Sequence, residues 1–293
     1  MSGTTVRAAA LAAALMLTAC AQLTSWLPWK SSPPPKTQTA ATTPPAKTSG
    51  TLLLSGGGRI AGAIIAEAAQ LTSGASPRLL VIPLGSPARS PGHATADTWT
   101  RAGFTDCEIM DTADDDHAGQ QIDDATFIWL TGNDAQRLVD RLLGPGLAEH
   151  LRARYEAGAL IGGNGAGATA VAELFVVSSP DDDEMQQGRA EIAGGLGLWP
   201  GVIADASFVA KKRFNRLTAA VLDHPLFVGV GIDEGTGVIV NGTSMRVVGD
   251  GNVVVLDARR ARVNATRPGD ASAATGVEMH VLASGMTIDV GAR

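Results

Sequence analysis

The stretch IGGNGAGATA, Ile161–Ala170, decides how this chain is read. An apolar run leads into it, glycines flank it and small residues follow. That is the pattern of a sharp strand-to-helix turn of the kind that presents a nucleophile. At its centre, where serine, cysteine or threonine would stand, the residue is Gly165. From these residues alone three readings are open: a disarmed active site, a phosphate loop, or only a tight turn.

The surrounding sequence narrows the choice. The chain has 293 residues, 45% apolar, with 35 glycines and 4% aromatic residues. Glycine-rich, aromatic-poor composition suits an α/β protein with many strand–helix turns. A formal net charge of -6 and a pI near 5.4 argue against a nucleic-acid partner, which needs a basic face. From residue 51 the pattern alternates. TLLLSGGG, RLLVIPLGS, CEIMD, TFIWLTGND and ALIGGNGAG read as strands, several ending in glycine turns. IAGAIIAEAAQLTSG, HATADTWTRAGF and AQRLVDRLLGPGLAEHLRARYEAG read as helices, the last interrupted near Gly144-Pro145. ATAVAELF is expected to begin a further helix. This alternation predicts a mostly parallel sheet with helices on both faces, a three-layer α/β sandwich. Beyond Leu174 the texture becomes β-rich, as mixed edge strands or a small antiparallel layer.

In such sheets ligands bind at the carboxyl ends of the strands. The glycine turns at Gly56–Gly58, Gly132 and Gly162–Gly167 are expected to converge there. Gly56–Ala61 satisfies G-x-G-x-x-A, but no acid closes the second strand, so dinucleotide binding lacks its ribose ligand. No G-x-x-x-x-G-K-[ST] loop occurs. No His, Cys, Asp or Glu spacing suggests a catalytic metal, and Asp181–Glu184 reads as a solvated acidic loop. No cofactor is expected. Cys107 lies in an alternating strand without an adjacent base and reads as a small core residue.

The N-terminus carries its own message. One early cation, Arg7, precedes an apolar run from Ala8 to Ala19 broken only by Thr18. That run is shorter than the ~20 residues a membrane span needs and reads as a secretory signal. Leu17-Thr18-Ala19-Cys20 resembles the lipobox of bacterial lipoproteins, which implies a signal peptide over 1–19 and lipid on Cys20; an ordinary signal with an incidental cysteine is the alternative. Ala21 after the cysteine resembles the signal for the outer membrane in Gram-negative bacteria. Residues 20–50, with SSPPPK and TTPPAK, cannot bury enough apolar surface to fold and read as a tether. Trp26 and Trp29 suit a lipid interface, or are simply exposed aromatics. The remaining domain is 51–293.

Several segments together resemble peptidase family S51, the cyanophycinases and aspartyl dipeptidases. WLTGNDAQRL is similar to T-G-G-D-Q-x-R-L. RYEAGALIGGNGAGATAVAE resembles the nucleophile segment around G-T-S-A-G-A-A. GLGLWPGVIADASFVAKKRFNRL resembles G-L-G-L-x-P-G-V-I-x-D-x-H-F-x-x-R-x-R-x-x-R-L, and HPLFVGVGIDEGTG resembles H-P-x-x-x-G-I-G-I-D-E-x-T-A. The resemblance implies a class I glutamine amidotransferase-like fold and Ser-His-Glu hydrolysis of aspartyl peptides. Carried over residue by residue, the serine position is Gly165, the histidine position is Ser207, and only the acid remains, as Glu234. Gly57, Asp134, Asn164 and Ala166 fall at ligand-binding positions. Arg213 and Arg216 keep two family arginines and Lys211 replaces a third; they suit either ligand carboxylates or a structural ion pair.

Acyl transfer needs an oxygen or sulfur nucleophile with a base in reach, and neither glycine nor serine supplies the pair. His93, after the second strand, is one candidate substitute base. A water held by Asn164 and Ser207 and activated by Glu234 is another route. The sequence therefore predicts a tethered, catalytically silent homologue that binds an acidic peptide, an envelope component or a protein partner, with a divergent peptidase as the alternative. Its oligomeric state is not written in these residues.

Overall fold

The computed structural model describes residues 50–73, 76–86, 90–178, 185–264 and 267–291. The expected signal segment, Cys20, the tether up to residue 49 and the acidic run at 181–184 lie outside them.

The chain alternates at first: β1 Thr51–Ser55, α1 Gly62–Leu71, β2 Leu79–Gly85, α2 Ser90–Arg101, β3 Cys107–Ile109, α3 Asp115–Asp124, β4 Phe127–Gly132, α4 Ala135–Leu143, α5 Leu147–Glu156 and β5 Leu160–Asn164. One helical turn, α6 Ala166–Thr169, follows. Then come β6 Ala172–Ser178, β7 Glu191–Gly194, β8 Trp199–Ala206, α7 Phe214–Asp223, β9 Val228–Ile232, β10 Thr236–Asn241, β11 Ser244–Gly249 and β12 Val253–Asp257. Short strands β13 Arg262–Asn264, β14 Ala273–Thr275, β15 Glu278–Leu282 and β16 Thr287–Asp289 close the described chain.

The strands form an eight-stranded sheet, β16-β11-β10-β1-β5-β4-β2-β3, a six-stranded sheet, β15-β12-β9-β8-β6-β7, and a small β13-β14 pair. In the large sheet, β1, β5, β4, β2 and β3 run parallel. They are apolar on both faces because helices cover both. Leu52 and Leu54 enter a core with Ile122, Leu138, Leu142 and Leu151 from α3, α4 and α5. Leu53, between them, enters the opposite core with Ile64 of α1 and Trp99 of α2. The three expected layers are therefore present. The β-rich C-terminal part does two things. Strands β10, β11 and β16 add antiparallel edges to the large sheet, and β9, β12 and β15 help build the second sheet. Helix α7 packs on that second sheet through Leu217, Ala220 and Val221.

Two local expectations change. ATAVAELF yields a helix that ends at Thr169, after which Ala172–Ser178 is strand β6. The run Val171–Phe175 is apolar enough for either state, and pairing of Leu174 with Ile203 and Phe175 with Ala204 of β8 decides it. Helix α3, for which no expectation was drawn, is started by Asp114, whose carboxylate accepts from the His117 N–H at 3.0 Å.

Strand β5 is narrow for a reason. A Cβ on Gly162 would lie 2.4 Å from the Trp129 ring. That indole is fully buried and packs edge-on to Trp99 with centroids 4.8 Å apart. Gly162→Ala is expected to cost about 1–3 kcal/mol by overpacking, seen as a lower urea midpoint at unchanged slope. An unaltered midpoint would mean the Trp129 ring does not fill that space.

Candidate functional site

The carboxyl ends of β1, β4, β5, β8 and β9 open into one cleft of about 650 Å³. It brings together the site positions carried over from the family resemblance: Gly57, Asp134, Asn164, Gly165, Ala166, Ser207, Arg213, Arg216 and Glu234 all line it. The three glycine turns converge there too.

Gly165 closes β5 with φ 55° and ψ -113°, a backbone that disfavours a side chain. Its N–H donates to the Ser55 carbonyl at 2.8 Å, and its own carbonyl accepts from the N–H groups of Ala168 and Thr169. The turn is thus fixed by backbone alone. Space is not what excludes a side chain: a Cβ on Gly165 would meet only the Gly57 Cα, at 3.7 Å. The neighbouring glycines differ sharply. A Cβ on Gly163 would be 2.4 Å from the Gly167 carbonyl carbon, and one on Gly167 would be 2.1 Å from the Leu130 carbonyl oxygen.

Ser207, at the end of β8, is buried and has a positive φ of 52°. It shares that backbone region with Lys212 alone among the described non-glycine residues. Its N–H and its Oγ both turn to the Gly56 carbonyl, the Oγ at 3.3 Å. Glu234 follows β9, is exposed, and lies over the Gly57–Gly58 turn; a Cβ on Gly58 would sit 3.3 Å from its Oε2. Gly57 is where the three positions meet. A Cβ built there would lie 2.8 Å from Ser207 Oγ, 3.8 Å from Gly165 Cα and 3.9 Å from Glu234 Cγ. The N–H groups of Gly57 and Ala166 have no acceptor among the described residues.

Other positions carry structural duties as well. Asp134 caps α4, accepting from the Arg137 N–H at 2.9 Å. Asn164 donates through Nδ2 to the Gly58 carbonyl at 2.8 Å, while its Oδ1 is buried and unpartnered. The arginines bind Asp205 before any ligand. Asp205 is 1% exposed, and Arg216 grips it with two donors, Nε at 2.7 Å from Oδ2 and a terminal nitrogen on Oδ1. Arg213 adds a contact to Asp205 Oδ1 and one to the Ala206 carbonyl. Burial pushes the Asp205 carboxyl up from the ordinary range, and the hydrogen bond and charge of Arg216, then the charge of Arg213, pull it back. Both arginines pair with Asp205 and both also line the cleft, so the ion pair and a role toward a ligand are compatible. Lys211 remains as an exposed cation on the lining.

His93 is not a substitute base. It lines a separate cavity with Pro83, Asp111 and His117, and no histidine lines the cleft. Cys107 is half-buried, not fully buried, and burial raises its thiol pKa, so thiolate is scarce. Among the described residues no group of three or more His, Cys, Asp or Glu side chains is placed to hold a metal ion. Asp233, which the sequence reading passed over, ties down the segment after Ser207: its Oδ1 accepts from the N–H groups of Val209 and Ala210 at 3.1 and 2.9 Å.

Comparison with known proteins agrees with this architecture. The chain is 30% identical over 189 residues to a cyanophycinase from Geminocystis herdmanii, covering 61% of this chain and 69% of that one. It is 32% identical over 190 residues to a cyanophycinase from Synechococcus elongatus, covering 61% of this chain and 58% of the relative. In fold it is similar to the crystal structure of a peptidase from an acI-B1 Actinobacterium, with TM-score 0.59 and 19% identity, covering 83% of this chain and 98% of that one. Residues 51–248 match the model of peptidase family S51, and with 198 of 293 positions inside that match the chain belongs to this family.

Proposed function

We propose that this S51 protein is a lipid-anchored, catalytically silent homologue that binds an acidic peptide or an envelope component rather than cleaving one. The observation that carries the reading is Gly165. The turn that would present a nucleophile is intact in backbone and has room for a side chain, yet it holds no attacking atom. Ser207, where the family resemblance places a base, points its hydroxyl at a backbone carbonyl and cannot accept a proton near neutral pH. Removal of the nucleophile or the base from a comparable triad costs on the order of 10⁶ in turnover.

Binding does not need those atoms. The cleft keeps its glycine walls, two unpaired backbone donors at Gly57 and Ala166, and the exposed cation Lys211. Together these suit a carboxylate-bearing ligand. Arg213 and Arg216, oriented by Asp205 on the wall of the same cleft, add positive charge beside Lys211 and the backbone donors. The reading of Cys20 as a lipidated residue adds a membrane lipid as the first partner and the envelope as the location, the outer membrane facing the periplasm in a Gram-negative cell.

Two experiments test this. Purified protein is expected to release no product from cyanophycin or from aspartyl dipeptides, whereas Gly165→Ser combined with Ser207→His restores slow hydrolysis and labelling of position 165 by a fluorophosphonate. Turnover by the unaltered chain above a heat-killed control favours the divergent, water-using peptidase instead; a folded double variant that never labels removes the assignment of the nucleophile turn. Separately, cells expressing the chain are expected to incorporate labelled palmitate, and Cys20→Ala to abolish it. Persistent labelling in that variant would refute the anchor.

A further inference from the structure

Glu234 is the carboxylate in the cleft without a partner. Among the described residues no ion pair and no hydrogen bond reaches it, whereas Asp205 holds two arginines and Asp134 caps a helix. It borders a space with little in it. Two of the walls, Gly57 and Gly165, have no side chain, and the only atom near the missing Gly165 side chain is the Gly57 Cα at 3.7 Å. The third wall is the Ser207 hydroxyl, 2.8 Å from where a Gly57 Cβ would stand, and Glu234 Cγ is 3.9 Å from the same point.

The side-chain polar atoms on the Glu234 and Ser207 side of this space are acceptors, while the backbone donors at Gly57 and Ala166 remain for a ligand carboxylate. Glu234 contributes two carboxylate oxygens. Ser207 Oγ spends its hydrogen on the Gly56 carbonyl, which leaves its lone pairs free to accept. An unpaired carboxylate beside a hydroxyl with free lone pairs calls for a ligand group that carries several N–H donors and a positive charge. Ser207 Oγ and Glu234 Cγ lie 2.8 and 3.9 Å from the point where a Gly57 Cβ would stand, so a small group there reaches both side chains.

We propose that Glu234 and Ser207 form a subsite for a small nitrogen cation of the ligand, an ammonium or imidazolium group, seated over Gly57 and Gly165. The subsite rests on the reading of the cleft as non-catalytic, in which Glu234 orients no internal base. It adds a second pole to the site. A ligand would place its cation at Glu234 and its carboxylate toward Lys211, so the preferred ligand is zwitterionic rather than uniformly acidic.

The test uses the full chain with imidazolium chloride and methylammonium chloride as probes, followed by ligand-detected NMR. Both are expected to bind, with acetate failing to displace them. Glu234→Gln, a conservative change at an exposed position, is expected to weaken binding at least tenfold. Ser207→His, which fills the recess, is expected to abolish it. Absence of probe binding to the unaltered chain, or equal binding by folded Glu234→Gln, overturns the subsite. Hydrolysis of aspartyl dipeptides by a chain that still binds the probes through Glu234 instead overturns the non-catalytic reading and leaves the subsite standing, so the two failures are distinguishable.

Discussion

The backbone contact on which the site depends lies between β5, α6 and β4. A Cβ on Gly167 would press to 2.1 Å of the Leu130 carbonyl oxygen, and one on Gly163 to 2.4 Å of the Gly167 carbonyl carbon. Neither neighbour is a flexible side chain that can step aside. Chain therefore lies directly on chain at both points, which brings α6 close enough for its first residues to line the cleft. Glycine is required at 163 and 167 by sterics. At Gly165 the requirement is different, since space is open and only the positive φ resists a side chain. A non-glycine residue held there costs ~1–3 kcal/mol, strain that a working nucleophile turn tolerates and that glycine removes. Glycine at 165 thus relaxes the backbone of this turn.

The second anchor is the ion pair in the cleft wall. Asp205 and Arg216 are 1% and 5% exposed on their side chains, so each ion is removed from water and depends on the other. Losing one partner of such a pair costs about 3–5 kcal/mol, because the survivor is left buried and uncompensated. The pair joins the end of β8 to the start of α7, and Arg213 extends it to the Ala206 carbonyl. Ser207 follows directly, with its strained φ held by Gly56 on one side and by Asp233, through Val209 and Ala210, on the other. The segment around residue 207 is over-determined by contacts that do not involve that residue's side chain. Such a segment keeps its shape after the side chain has changed.

The parts of this architecture that were legible in sequence are those with strong local signals. LLLSGGG and IGGNGAG announce strand and turn because apolar runs end abruptly in glycine, and their convergence follows from parallel-sheet geometry. What escaped has non-local causes. Helix α3 carries little apolar periodicity, burying Ala118, Gly119 and Ile122; its one cue was the Asp114 cap. Strand β6 was masked because VAELF fits a helix until β8 pairs with it. The second sheet could not be drawn from spacing, since β9 turns from β8 on one side to β12 on the other and only the folded chain shows it. Arg213 and Arg216 were legible as important, but whether they serve a ligand or the interior depended on Asp205, whose burial no local pattern announces.

These two anchors make the substitutions at 165 and 207 intelligible as a pair. The cleft stays open without large side chains at 165 and 207, because backbone contacts at Gly163 and Gly167 fix one wall and the Asp205–Arg216 pair fixes the other. Gly165, with no side chain, and the small Ser207 leave free volume beside Glu234, a carboxylate that no ion pair or hydrogen bond reaches among the described residues. Free volume next to an unpaired charge is a binding feature on elementary electrostatic grounds, since a cation that enters gains the attraction without displacing a protein group. The same rigidity that a hydrolase uses to align its reacting atoms gives this recess a defined shape, and the chemistry on its walls selects what can occupy it.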